Sequence, residues 1–427
     1  MDRRSFGKSI VAGLAAATSA GIGVAKAASA SAALGPGQAW PGLKVMRNPK
    51  VRLGGEYRTG EGGTISKENM EYQLRWGIKY LTTSLEGSRA TPEVLPNTPR
   101  GERGGNGLGG APEGAPAKGP AEKGRGAGPG VLSGRMTPSE PWDADGLKKV
   151  RDTLEKNGLV FEGIRMDSAY IAMKPGPDRT KHLDVVCDNI RKAGDAGVKV
   201  ISFHWNLTPI RRNTTVPGRG GSRYSAFKLE PDWKMLPLTG AGRVTSDDYW
   251  ERIDTYLKAV IPAATQAKVK MACHPYDPGG LPLGYLGVDS FDAGDYTAGL
   301  LRYEKIVDSP YNGFQYEVGV ARESMPVGQD QLDLLHGLLA RKKVNQIHFR
   351  NVRGGQNDFV EVYHDEGDIN MFNVIRLLRD MDWEGSLLPD HSPAHPADPN
   401  SLQGFAFANG YIQGLLRAAD EEAIRLT

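Results

Sequence analysis

The chain has 427 residues, 39% hydrophobic and 24% charged, with a formal net charge of +3. That balance is that of a globular protein in water, and the charge is too small to argue for nucleic acid or a membrane surface as a partner. The two cysteines, Cys187 and Cys273, exclude a disulfide scaffold and read as buried thiols, one in a helical pattern and one in a strand.

The N-terminus opens with Asp2-Arg3-Arg4-Ser5-Phe6-Gly7-Lys8, runs through small apolar residues from Ile10 to Val24, and reaches Ala25-Lys26-Ala27, an A-x-A cleavage site. This predicts a twin-arginine signal over residues 1–30 and a periplasmic mature protein. An ordinary secretory signal is the alternative, but Phe6 and Lys8 complete the twin-arginine pattern. The apolar run is too short and too rich in Ala and Gly to anchor the mature form in a bilayer. Since this route carries proteins already folded, often with a cofactor in place, it suits a metalloprotein.

A catalytic domain is predicted over residues 45–420. Strands are expected near 50–54, 78–84, 159–166, 198–204, 268–274, 313–319, 346–350 and 386–390, from their β-branched and apolar runs. Helices alternate with them: one opened by Ser66, then apolar faces at Leu147, Val150 and Leu154 and at Leu183, Val186 and Ile190. The next is capped by Thr245 with Asp248 three residues on, and two more carry Leu332, Leu335 and Leu339, and Met371 to Met381. Residues 96–134 hold Gly, Pro, Ala and scattered charge with almost no large apolar side chain, and read as a disordered insertion in a loop. A long Gly/Arg-rich loop is expected from Arg211 to Arg223. Strand–helix alternation repeated to eight predicts an α/β fold, a (β/α)8 TIM barrel, with active groups at the C-terminal strand ends. An open doubly wound sheet is the fallback, but no Gly-rich phosphate fingerprint follows an early strand.

Those ends carry Asp167, His204 with Asn206, His274, Glu317, His348 with Arg350, and Asp390 with His391. A single strand histidine is usually a hydrogen-bonded core residue. Recurrence of His and carboxylate at the same end of successive strands points instead to a mixed N/O metal site suited to Mn²⁺, Fe²⁺, Co²⁺ or Zn²⁺. His182, His336 and His395 read as solvated.

The residues then resemble a known family. Ala259-Val260-Ile261-Pro262-Ala263-Ala264 leading into Met271-Ala272-Cys273-His274-Pro275-Tyr276-Asp277-Pro278 resembles the helix and H-P-D-D-P strand end of the mannonate dehydratases. Asn312-Gly313-Phe314 is similar to that family's fifth-to-sixth barrel segment, Ile347-His348-Phe349-Arg350 to its T-H-L-R strand, and Gly367-Asp368-Ile369-Asn370-Met371 to its G-D-V-D-M turn. Leu388-Pro389-Asp390-His391 resembles its R-P-D-H-G end, and Asn206-Leu207-Thr208-Pro209 its N-F-M-P. The resemblance implies a metal held by His274, Glu317, His348 and Asp390, with Glu317 standing where the family has cysteine. A carboxylate in place of a soft thiolate favours harder ions, Mn²⁺ first, and resembles the sugar isomerases of the same barrel superfamily. The family's H-E-A-A-H is represented by Val360-Glu361-Val362-Tyr363-His364.

The implied reaction is dehydration of a mannonate-like sugar acid to a 2-keto-3-deoxy acid. His364 is the first candidate for proton transfer, with Tyr276, Asp277 and His391 as alternatives. Arg350 is expected on the substrate carboxylate or in a rim salt bridge, Asn206 on a hydroxyl, His204 on substrate or in the core, and Glu361 as the residue that orients a His or Arg. The main rival is a metal-dependent isomerase or epimerase of a free sugar on the same barrel. A periplasmic sugar-binding protein is the third reading. The partner is thus a small sugar acid or sugar, and a homo-oligomer stays open.

Overall fold

The computed structural model describes residues 48–56, 65–84, 138–326 and 328–426. The predicted signal (1–30) and insertion (96–134) lie outside them. Eight parallel strands close into a barrel: β1 (Val51–Glu56), β2 (Tyr80–Ser84), β3 (Val160–Arg165), β4 (Val200–His204), β7 (Lys270–His274), β8 (Asn312–Glu317), β9 (Val344–His348) and β12 (Gly385–Leu388). Each neighbour pair runs in chain order, and β1 closes on β12. The strands sit at the eight predicted places. Parallel strands covered by helices need apolar side chains on both faces, and β8 is buried along its whole length.

Outside the ring lie α1 (Lys67–Arg75), α2 (Ala144–Lys156), α3 (Pro177–Asp195), α4 (Ser246–Ala267), α5 (Tyr296–Ile306), α6 (Val318–Ser324), α7 (Gln331–Ala340), α8 (Met371–Asp380) and α9 (Leu402–Leu426). Ser66 caps α1 and Thr245 forms a capping box with Asp248 on α4, as their spacing predicts. One face of α4 (Ile253, Tyr256, Leu257, Val260, Ile261) is buried in the continuous core between helices and barrel. None of the helices in the described residues is long and apolar enough to cross a membrane.

Three departures matter. The stretch expected as loop over 211–223 carries β5 (Thr214–Pro217) and leads into β6 (Arg223–Lys228), which with β10 (Asn351–Gly355) and β11 (Asp358–Val362) makes a four-stranded antiparallel sheet ordered β10-β11-β6-β5. The sixth barrel strand stops at Glu317, and Val318 and Gly319 begin α6. His182, expected in solvent, is buried, with Nε2 3.3 Å from Asp167. Its helix packs against α4 and the turn after β3, and Asp167 also accepts hydrogen bonds from the backbone of Ser139 and Ala169.

Candidate active site

Strand register sets the level of the site. His204 pairs with His274 across β4 and β7, and Glu317 with His348 across β8 and β9, so these side chains leave the barrel at the same end. The rings of His274 and His348 meet edge to face with centroids 5.3 Å apart. Nδ1 of His274 lies 2.7 Å from the carbonyl of Pro275, a contact only a protonated Nδ1 can make, so the lone pair is assigned to Nε2. Burial, then His348, lowers its pKa to about 4, and the ring is neutral at pH 7.

His348 is enclosed by charge. Its Nδ1 lies 3.3 Å from Asp390, and its Nε2 3.3 Å from Glu56 and 3.1 Å from Arg165. Asp390 follows β12 in a left-handed conformation (φ 60°), unusual for a residue with a Cβ and frequent where function holds the backbone. Burial would raise its pKa, but His391, His348 and Arg350 together hold it well below the carboxylate range.

Arg350 lies just past the end of β9 and is 2% exposed. It ion-pairs with Glu317 (2.8 Å), Glu323 (3.0 Å) and Asp390 (3.1 Å), and lies 3.5 Å from Glu361. Gly319 makes room for this packing, because a Cβ there would come within 2.9 Å of Arg350 Cγ. Of the two roles expected for Arg350, this structure displays the salt bridge. Glu317, expected as a metal ligand, meets Arg350, and its carboxylate also accepts the backbone N–H groups of Gly319 and Val320 and caps α6. Burial drives Glu317 well above the usual range and Glu323 up to about 8, despite the arginines beside them.

A second arginine, Arg212, enters from the loop before β5 and ion-pairs with Asp277 (2.8 Å), Glu361 (2.7 Å) and Glu323 (3.3 Å). Glu361 thereby lies between Arg212, Arg350 and His391. Asp277 is buried; burial opposes its ionisation, yet Arg212 and Arg350 hold its pKa far below normal. Tyr276 is sealed in the core, where burial raises its pKa and its hydroxyl meets Thr208 at 2.8 Å. Asn206 is also fully buried and donates to the Asp277 carbonyl at 2.8 Å, so it braces the turn after β7 in place of the open mouth expected for it. His204 is half-buried, with its backbone N–H on Ser168.

His364, the first choice for proton transfer, is fully enclosed, with Nε2 3.1 Å from the carbonyl of Pro389, and burial lowers its pKa to about 4. In this conformation the imidazole supports the 389–391 turn. His391 is the histidine at the rim: its side chain is 27% exposed and its Nε2 lies 3.2 Å from Asp390. Sequence reasoning missed Arg212, Glu323, Glu56 and Arg165. The last two are charged residues at strand ends, a signal the sequence did carry; the other two sit on an unexpected sheet approach and an unexpected helix.

A metal was expected here. Three carboxylates held ionised (Asp277, Glu361, Asp390) outnumber the two guanidinium groups, with Glu317 and Glu323 beside them, and two imidazoles stand edge to face nearby. A divalent cation fits in charge and donor type. Among the described residues no three His, Cys, Asp or Glu side chains are already gathered as a coordination group. The reason is visible: Arg350 draws Glu317 and Asp390, and Arg165 stands at His348. His274, His348 and Asp390 are the residues that would hold the ion.

Residues 238–425 match the family model for D-mannonate dehydratase (UxuA). This segment includes His274, Glu317, His348 and Asp390. Mannonate dehydratase of Streptococcus equi subsp. zooepidemicus is 28% identical over 319 residues, 66% of this chain and 85% of that protein. The enzyme of that name from Thermotoga petrophila is 27% identical over 326 residues, 66% of this chain and 88% of its own. The crystal structure of mannonate dehydratase from Streptococcus suis serotype 2 superposes with a TM-score of 0.61 at 22% identity, covering 86% of this chain and 95% of that one. Over this segment the chain is therefore similar to the mannonate dehydratases, and its described residues are built on a (β/α)8 barrel.

Proposed function

We propose that the protein is a hydro-lyase of a sugar acid, removing water from a mannonate-like aldonate to give a 2-keto-3-deoxy acid, with a divalent cation, Mn²⁺ first among the candidates. The observation that carries this reading is His274, His348 and Asp390 at one barrel mouth, within the segment matched to D-mannonate dehydratase. A proton next to a carboxylate is weakly acidic, so its removal needs a positioned base and positive charge near the oxygens. When bound, the cation supplies Lewis acidity toward those oxygens.

His391 takes the α-proton, because it combines rim exposure with a carboxylate that fixes its ring. It returns that proton to the departing β-hydroxyl, which leaves as water, and the resulting enol tautomerises to the keto acid. Asp390 and Glu361 stabilise the imidazolium between these two transfers. The signal expected over residues 1–30 puts this activity in the periplasm.

The test is metal analysis of the purified protein, followed by incubation with a panel of aldonic acids and free sugars. Divalent metal together with a 2-keto-3-deoxy product is expected. Turnover of uncharged sugars alone would refute the dehydratase and favour the isomerase reading.

A further inference from the structure

An aldonate carries a carboxylate, and three arginines reach the mouth. Arg350 is sealed at 2% exposure among carboxylates, and Arg212, with an 11% exposed side chain, is tied to Asp277, Glu323 and Glu361. Arg165 is the most open of the three at 16%. It ends β3, and its guanidinium crosses the opening to His348 on β9, the strand on the opposite side of the eight-stranded ring. Its Nη2 lies 3.1 Å from His348 Nε2 and 2.7 Å from Oε1 of Glu56, which ends β1.

We propose that Arg165, occupied by Glu56 until a substrate displaces it, is the receptor for the substrate's carboxylate. This rests on the sugar-acid reading above. A guanidinium presents a planar fork matched to a carboxylate, and Glu56 already demonstrates the match: it is an internal carboxylate on the same group. An aldonate whose carboxylate takes the place of the Glu56 oxygen is brought against His348, where His274 and Asp390 also converge. Both Arg165 and Glu56 lie outside residues 238–425, so this selectivity is set by the part of the chain beyond the matched family segment.

The experiment is calorimetric titration of the full chain, in Mn²⁺, with D-mannonate and with its uncharged counterpart D-mannitol. Wild type is expected to prefer D-mannonate. Arg165→Gln should lose about 10- to 100-fold of that preference, as expected for a charged hydrogen-bond partner. Arg165→Lys, which keeps charge but not the fork, should lose less, and Glu56→Gln, which removes the internal competitor, should not weaken D-mannonate. Thermal melts of each variant report folding separately. Retention of the full preference by a folded Arg165→Gln, or its loss in Arg212→Gln alone, overturns the assignment while leaving the sugar-acid reading standing. A wild type that binds no aldonate but does bind free sugars removes both.

Discussion

The mouth of the barrel has two unlike halves. Around β7, β8, β9 and β12 the charges are drawn in on one another: Arg350 and Arg212 pair with Asp277, Glu317, Glu323, Glu361 and Asp390. Around β1 and β3 a single pair, Glu56 and Arg165, reaches across the opening. In a low-dielectric site, a sealed network fixes geometry, and its arginines are too committed to recognise a ligand. Recognition falls to the half whose charge is still presented to the opening. The same residue type thus serves two purposes according to how many carboxylates surround it.

Removing divalent cations is the broadest way to test the closed half. Dialysis against a chelator should abolish turnover, with Mn²⁺ restoring it, whereas activity that persists without metal would mean that the surplus carboxylates serve another purpose. His391→Gln should lower kcat by roughly 10²- to 10⁴-fold, the usual share of a proton-transfer residue, with an unchanged melting temperature. The same substitution in the enclosed His364 should act mainly on stability. Arg350→Gln leaves buried carboxylates without their cation and should cost about 3–5 kcal/mol in urea unfolding. If it instead spared stability and erased D-mannonate binding, the two halves would have exchanged roles.

The smallest effect concerns Asp292, buried behind the turn that carries Asp277. Burial raises its pKa to about 7, against hydrogen bonds from Ser290 and the Gly280 backbone. Because the folded value exceeds the unfolded one, its contribution is fully present below the ordinary carboxylate pKa and is lost as pH rises towards about 7. Asp292→Asn should therefore flatten the fall in stability across that window, as measured by urea unfolding at several pH values. An identical slope in both proteins would refute the role given to this carboxyl.

The barrel was legible because most of its parallel strands are short runs with apolar residues and most helices have a capped, one-sided face; Thr245 with Asp248 and the row Ile253, Leu257, Val260 are enough to place α4. The antiparallel sheet was not. Thr214–Pro217 is a brief, exposed strand, and Asn351–Gly355 is Gly-rich, so neither carries a hydrophobic period. At the site, the strand ends revealed which residues gather but not which way they face. Glu317 and Asn206 read in sequence as groups aimed at a ligand; in the structure Glu317 meets Arg350 and the backbone of α6, and Asn206 the Asp277 carbonyl. Sequence position cannot distinguish a carboxylate that caps the next helix from one that looks into the mouth, since both stand at a strand end.

The antiparallel sheet also ties distant parts of the chain to the site. β6 and β11 pair only when segments far apart in sequence meet, and Arg212 reaches Glu361 across 149 positions. Such contacts bear a large chain-closure entropy unless the intervening strands and helices have already brought the ends together. Arg212 and Glu361 therefore meet only where the barrel elements between them hold the two ends together. The acidic cluster is thus tied to the integrity of the sheet as well as of the barrel.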